Sequence, residues 1–197
     1  MTPAAVRATE RRRAIALAAT RGIVELGYER FSVNALADEL GISVGGLYRY
    51  IKTKSDLLVM ACEDIYGGLL ERIVDAVAGQ QSTAQKLSAA LGLYLQSCAD
   101  NRRQILLMYR EYRHLPVDAG DRYRERELAI ADCFAELLES AIGQGLIPEL
   151  DAALLAQDII LMGHLPALKG WALRDRVDPQ RLIEGQISLL LRGLGVG

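Results

Sequence analysis

The residues that could do chemistry begin with Ser43, in the stretch Gly41-Ile42-Ser43-Val44-Gly45. This stretch matches G-x-S-x-G, the nucleophile elbow in which a strained turn after a β-strand exposes a reactive serine. The residues before it, 33–40, carry apolar side chains at helical rather than strand spacing. A catalytic triad would also need one of only two histidines, His114 or His164. We therefore expect that the chain is not an enzyme, with a serine hydrolase acting through Ser43 as the alternative.

Two adjacent glycines, Gly45 and Gly46, follow Ser43 where a helix is expected to begin. Inside a helix each glycine costs roughly 1 kcal/mol relative to alanine, so the pair needs a reason. In a helix-turn-helix unit, Ser43 would cap a second helix whose first residues enter the DNA major groove. Missing side chains at positions 45 and 46 would let the backbone approach the duplex closely. Close packing between helices of the protein is the alternative explanation.

The residues around these glycines suit contacts with nucleic acid. Val44 could touch a thymine methyl group. Hydroxyls and cations that can bind phosphate oxygens follow it, at Tyr48, Arg49, Tyr50, Lys52 and Lys54. Residues 1–54 carry nine basic and five acidic side chains, whereas the rest of the chain carries fourteen and twenty. A basic end on an acidic protein is typical of polyanion binding, although ordinary scatter of surface charge is the alternative.

Elements that position these residues are predicted to be helices throughout. Apolar residues recur every three or four positions, and alternating strand patterns are absent from the sequence. We expect an all-α fold of nine helices, including single helices over 53–78 and 151–173, the latter kinked at Pro166. Because a basic three-helix unit gives way near Thr53 to long apolar helices, we expect a helix-turn-helix DNA-binding domain in residues 1–53 and a larger helical domain in residues 54–197.

Composition restricts the remaining possibilities. The hydrophobic fraction is 51%, and no apolar run reaches the ~18 residues that cross a bilayer. The polar, basic N-terminus has no signal-peptide pattern. The three cysteines, Cys62, Cys98 and Cys133, stand far apart and are expected to be buried thiols. We therefore expect a cytoplasmic protein without a membrane span, a cofactor or a metal site.

Residues 10–60 resemble the DNA-binding domain of the tetracycline-repressor (TetR) family of bacterial regulators. The segments ELGYERFSVNALADELGIS and VGGLYRYIKTKSDLL carry this resemblance. It implies a one-component transcriptional regulator, in the usual arrangement a repressor, that binds a palindromic double-stranded DNA operator. Carried over residue by residue, it assigns DNA contacts to Ser32, Asn34, Ser43, Val44, Gly45, Gly46, Tyr48, Arg49, Tyr50 and Lys54. Gly46 and Ile51 depart from the residues usual in the family and leave the operator sequence open.

The resemblance also implies that residues 54–197 form a helical ligand-binding and dimerisation domain, and that two chains form a homodimer joined by the last two long helices. In residues 151–173 and 179–194, apolar side chains spread beyond one helix face. A helix with such a surface needs a second covering, which a partner subunit could supply. A fully buried core of a monomer is the alternative.

A small-molecule effector is implied in the same way, because family members release DNA when they bind one. Aromatic, methionine and cationic side chains concentrate in YLQSCADNRRQILLMYREYRHLP. An apolar cavity with cations at its mouth would suit an aromatic acid, an amphipathic acid or an acyl-CoA. Core packing of the aromatic and methionine side chains and solvation of the arginines are the alternatives to a cavity. A helical scaffold protein without DNA affinity is the alternative to a regulator. The candidate ligand residues are Tyr94, Met108, Tyr109, Arg110, Tyr112, Phe134, Met162 and His164.

Overall fold

A computed structural model describes residues 3–63 and 65–196 of the chain. Every regular element in these two ranges is helical, which confirms the predicted fold class. The eleven α-helices of the described ranges are α1 (Pro3–Leu26), α2 (Val33–Glu39), α3 (Val44–Leu47), α4 (Lys54–Cys62), α5 (Leu69–Ala78), α6 (Thr83–Asp100), α7 (Arg102–Glu111), α8 (Val117–Gly143), α9 (Ala152–Leu168), α10 (Gly170–Leu173) and α11 (Pro179–Gly193). A 3₁₀ turn at Tyr112–His114 lies between α7 and α8.

The helices group into two compact units. The first unit comprises residues 1–65 and 103–122, and the second comprises residues 66–102 and 123–197. Most of α7 and the first six residues of α8 therefore belong to the first unit. The functional boundary predicted between residues 53 and 54 stays a prediction.

Packing of α1 against α4 forms the core of the first unit. On α1 the buried side chains include Ile15, Ala19 and Ile23, which recur at four-residue steps. Residues at this spacing share one face of a helix. On α4, the helix packed against α1, Leu57 and Ala61 are also buried.

Helix α6 is the centre of the second unit, where it packs against α5, α9 and α11. Its Tyr94 is fully buried and donates a hydrogen bond of 2.8 Å to the backbone carbonyl of Ile160 on α9. Gly163 permits this close approach, since a Cβ at that position would overlap the Tyr94 ring and lie 2.9 Å from Cys98 Sγ. The small residue on α9 thus lets the large one on α6 fill the space between the helices.

The predicted number of helices was wrong, because two predicted helices are each divided. The predicted helix over 53–78 consists of α4 and α5, and Gly68, with φ of 63°, precedes α5 in a left-handed conformation that interrupts helical geometry. The predicted helix over 151–173 ends at Leu168, two residues after Pro166, because Lys169 leaves helical geometry with φ of −117°. Apolar spacing of four residues continues across both breaks and conceals them in the sequence.

None of the helices in the described ranges combines the length and the apolar character that crossing a bilayer requires.

Candidate DNA interface and ligand site

A helix-turn-helix arrangement is built by α2, a tight turn and α3. The turn begins at Gly41, whose φ of 63° is accessible to glycine without strain. Backbone hydrogen bonds join Gly41 N to Asp38 O at 3.1 Å and Ile42 N to Ala37 O at 3.0 Å. These two bonds form a Schellman motif, which ends a helix and reverses its chain direction. The motif sends the chain from α2 into α3.

Serine side chains cap both helices of this arrangement. Ser32 Oγ accepts a hydrogen bond from Ala35 N at 3.3 Å, and Ser43 Oγ accepts one from Gly46 N at 3.0 Å. Each serine satisfies an amide that would otherwise lack a partner at a helix start. A helix and its turn precede Ser43, whereas a nucleophile elbow needs a strand there. The serine hydrolase alternative therefore has no support in the described structure.

The glycines at the start of α3 are not explained by packing within the described chain. A Cβ built on Gly45 would meet nothing within 4 Å, and one on Gly46 would meet Ser43 Oγ at 3.2 Å. Neither residue has the positive φ that favours glycine. The alternative of close helix–helix packing therefore fails for Gly45.

Side chains around α3 divide into an outward and an inward set. Leu47 and Ile51 are buried and anchor the helix to the first unit. Half-buried or exposed positions are occupied by the other residues predicted to contact DNA, which are Ser32, Asn34, Ser43, Val44, Gly45, Gly46, Tyr48, Arg49, Tyr50 and Lys54. All ten lie in the first unit, and their roles as DNA contacts stay predictions.

Lys54 is held in a defined position at the start of α4. Its Nζ donates a hydrogen bond of 3.1 Å to the backbone carbonyl of Glu29 and lies 4.8 Å from the centroid of the Tyr28 ring. An aromatic face attracts a cation at this distance. A lysine ammonium has three donors, so the carbonyl contact leaves capacity for a phosphate oxygen.

The turn that carries Tyr28 contacts the last residue of α7 and the 3₁₀ turn that follows it. Tyr28 N donates to Glu111 Oε1 at 3.3 Å, and its ring meets the His114 ring edge-on with centroids 4.7 Å apart. His114 Nε2 also lies 3.4 Å from Glu29 Oε1. Contacts therefore run from His114 through Tyr28 to Lys54. This chain of contacts could not be predicted from the sequence, because Tyr28, Lys54 and His114 lie far apart along it.

A groove between α1 and the segment after α3 adds two cations to this side of the first unit. Arg7 and Arg11 line it together with Tyr50. The arginines lie four residues apart and so share one face of α1. Both arginines belong to the nine basic side chains of residues 1–54, and neither was assigned to a site from the sequence.

The eight predicted ligand residues fall in both units. Tyr94, Phe134, Met162 and His164 lie in the second unit, where the rings of Tyr94 and Phe134 meet edge-on at 5.6 Å. The first unit holds the others, of which Met108 is buried and three are exposed, namely Tyr109, Arg110 and Tyr112. Their roles in ligand binding stay predictions.

A buried polar cluster surrounds His164 in the second unit. Tyr66 Oη lies 2.6 Å from His164 Nε2 and donates to Glu127 Oε2 at 2.8 Å. Tyr123 Oη donates to the same carboxylate oxygen at 2.9 Å. Burial raises the pKa of Tyr66. Burial also lowers the pKa of His164, and the charge of the nearby Glu127 partly opposes that lowering. Of these four residues only His164 was predicted from the sequence, because the other three are ordinary helix or loop residues without a motif.

The hydrogen bonds of this cluster fix the proton on the imidazole. The single hydroxyl proton of Tyr66 is directed at Glu127, so Tyr66 Oη must accept from His164 Nε2. A neutral imidazole with its proton on Nε2 meets this requirement. We refer to Tyr66, Tyr123, Glu127 and His164 as the polar cluster.

Comparisons with known proteins agree with this geometry. Residues 15–61 match the model of bacterial regulatory proteins of the tetR family, and residues 80–194 match the tetracyclin repressor-like C-terminal domain. The HTH-type transcriptional regulator HbdR of Aromatoleum sp. (strain CIB) is 25% identical over 182 residues, which cover 92% of this chain and 80% of HbdR.

Two solved structures share the fold. AibR in complex with isovaleryl coenzyme A and operator DNA has a TM-score of 0.75 at 22% identity, covering 91% of this chain and 97% of AibR. FadR of Bacillus subtilis in complex with stearoyl-CoA has a TM-score of 0.71 at 23% identity, with the same two coverages.

Proposed function

This chain belongs to the TetR family of bacterial regulators and is a ligand-responsive transcriptional regulator, and we propose that it represses transcription by binding a palindromic operator as a homodimer. An effector would release the operator. Since its target is chromosomal DNA, we place the protein in the bacterial cytoplasm.

The exposed backbone at Gly45 is the observation that carries the proposed DNA interface. Glycine at a helical position lowers helix propensity. At Gly45 nothing within the described chain requires glycine, because an added side chain would point into open space. Close approach of an external surface supplies that reason. We propose that the surface is the floor of the major groove, with Val44, Tyr48 and Arg49 beside the glycines.

Phosphate contacts would hold α3 in the groove. Lys54 is positioned by Glu29 and Tyr28, as a backbone contact requires. The hydroxyls and amides of Ser32, Asn34, Ser43 and Tyr50 can also bind phosphate oxygens. We add Arg7 and Arg11 to this set, because they line the groove that contains Tyr50.

Dimerisation would use α9 and α11. Three leucines on these helices are exposed in the single chain, Leu154 by 60%, Leu161 by 54% and Leu189 by 70%. Leucines exposed to this extent on neighbouring apolar helices favour a partner surface. A two-fold dimer would present two copies of α3 to half-sites about 34–36 Å apart.

An acyl-CoA is the effector that we propose. The two structures named above hold isovaleryl coenzyme A and stearoyl-CoA, and the second unit of this chain has buried aromatic and polar groups that suit an acyl thioester. An effector changes operator occupancy only if it binds the DNA-free conformation more tightly than the DNA-bound conformation.

Selection of bound sequences from a random DNA pool tests the DNA interface. We expect enrichment of one palindrome, which a mobility-shift titration then quantifies. Lys54→Ala should weaken binding to specific and unrelated DNA alike and reduce the salt slope by about 1. Lys169→Ala, an exposed lysine of the second unit, serves as the matched control. Failure to enrich any sequence would contradict the proposed function.

Operator release tests the effector. Affinity for the selected palindrome is measured at fixed salt with isovaleryl-CoA, with stearoyl-CoA and with free coenzyme A. We expect one thioester to lower the affinity and free coenzyme A to leave it unchanged. Equal affinities in all three titrations would reject acyl-CoA as the effector.

A further inference from the structure

We propose that Tyr66 and Tyr123 bind the thioester carbonyl oxygen of the effector, that His164 holds the Tyr66 hydroxyl in position, and that this carbonyl oxygen replaces Oε2 of Glu127. The proposal rests on the proposed function and assigns the part of the second unit that recognises the effector's polar group. Glu127 then acts as an internal substitute for the ligand in the effector-free protein.

Convergence of hydrogen-bond donors on one oxygen is the first observation behind this site. Tyr66 and Tyr123 donate to Glu127 Oε2 at 2.8 and 2.9 Å, and His164 Nε2 lies 3.8 Å from the same atom. The two phenol oxygens are only 3.4 Å apart. A carbonyl oxygen placed where Oε2 lies would accept both phenol hydrogen bonds without rearrangement of the donors.

Unequal burial of the donors and the acceptor is the second observation. His164 is 1% exposed and Tyr66 is 4% exposed, whereas 27% of the Glu127 side chain is exposed. Glu127 can therefore turn into water, where an ionised carboxylate is better solvated. If Glu127 turns away, the two phenols lose an ionised acceptor, which an incoming carbonyl oxygen would replace.

The neutral character of the donors favours a carbonyl over a free carboxylate. Two phenols and a neutral imidazole supply hydrogen bonds but no positive charge. The Glu127 carboxylate keeps 27% of its side chain exposed, whereas a ligand carboxylate buried in its place would lose the solvation of its charge; a thioester carbonyl carries no charge to desolvate.

Tyr66 also provides a route from effector binding to the rest of the chain. It is the first residue of the second unit, four residues after the end of α4 and two before Gly68. Along the chain its backbone leads to α4, whose first residue is Lys54.

Calorimetric titration of the full-length protein with isovaleryl-CoA and stearoyl-CoA tests the proposal. Glu127→Gln weakens the internal acceptor, so it should bind the preferred thioester about tenfold more tightly. Tyr123→Phe removes a donor and should bind it about tenfold more weakly. Glu139→Gln, an exposed change on the same helix, is the matched control and should bind as the unmodified protein does. The corresponding free acids should bind more weakly than their thioesters.

Opposite or absent effects would overturn the proposal. Weaker or unchanged thioester binding by Glu127→Gln, or tighter binding of the free acids, contradicts the exchange of acceptors. Circular dichroism establishes that each variant is folded, and Tyr66→Phe replaces Tyr123→Phe if the latter is not. If the protein binds its operator but neither thioester, this inference fails and the regulator function stands. If it binds thioesters as expected but no DNA, the proposed function fails instead.

Discussion

Gly45 combines an open environment with a helical position, and this combination gives opposite predictions for stability and for DNA binding. Gly45→Ala should raise the free energy of unfolding by about 0.5–1 kcal/mol, because alanine loses less backbone entropy in a helix. Affinity for the operator should fall about tenfold, since a methyl group forced into a packed contact costs about 1–3 kcal/mol. Urea unfolding and mobility-shift titration measure the two quantities.

Gly92→Ala is the matched control for this substitution. Gly92 lies in α6, where an added Cβ would also meet nothing within 4 Å. The control should gain stability and keep its affinity for the operator. Unchanged operator affinity in Gly45→Ala would remove the argument for a close backbone approach at this position.

Residues of the candidate DNA interface could be predicted from the sequence because they are local. All ten lie within 32–54, where caps, glycines and cations form one continuous pattern. The polar cluster has no such pattern, since Tyr66, Tyr123, Glu127 and His164 come from segments up to 98 positions apart. Tyr123 and Glu127 lie four residues apart on α8, but only tertiary packing brings Tyr66 and His164 to them, and the sequence has no pattern that predicts this packing.

At the scale of the element, the start of α4 depends on one carboxylate. Asp56 Oδ2 accepts hydrogen bonds from Lys52 N at 2.6 Å and from Thr53 N at 2.9 Å. Partial burial acts to raise the pKa of Asp56, but these amide donors outweigh it and the pKa is lowered. The ionised form therefore stabilises the fold above the unfolded pKa of about 3.9, and this contribution is lost as pH falls through the lower folded pKa.

Asp56→Ala should therefore lower the free energy of unfolding at pH 7. The difference from the unmodified protein should shrink as pH falls below about 4, because the protonated carboxyl no longer stabilises the cap. Urea unfolding at pH 7, 5 and 3 measures it, with Asp75→Ala on the exposed face of α5 as the control. A difference that stays constant over this range would contradict the role of the ionised carboxylate.

Helix starts were predicted well where a side chain caps them. Breaks that depend on backbone geometry alone were not predicted. Ser43 caps α3 as the sequence predicts, and the helix predicted from residue 151 begins directly after Asp151, which caps it. The division between α4 and α5 was missed, because Leu57, Ala61, Ile65, Leu69 and Ile73 keep a four-residue spacing across it. Apolar periodicity reports which side faces the core and does not report continuity of the helix.

At the scale of the whole molecule, the exposed leucines of α9 and α11 indicate how two chains would join. Leu154 and Leu161 lie seven residues apart on one face of α9, and Leu189 lies on α11. Their side chains contribute little to the core of the single chain, because each is more than half exposed. Substitution there should affect assembly much more than folding.

Leu161→Glu and Leu189→Glu should convert the dimer to a folded monomer. Each places a carboxylate where an apolar partner surface would bury it, and a buried unpaired charge costs several kcal/mol. Sedimentation velocity should show half the mass with an unchanged circular dichroism spectrum. Operator affinity should fall, because one particle no longer engages both half-sites. Val74→Glu, 50% exposed on α5, is the control and should stay dimeric. Dimers of unchanged affinity in both leucine variants would place the interface elsewhere.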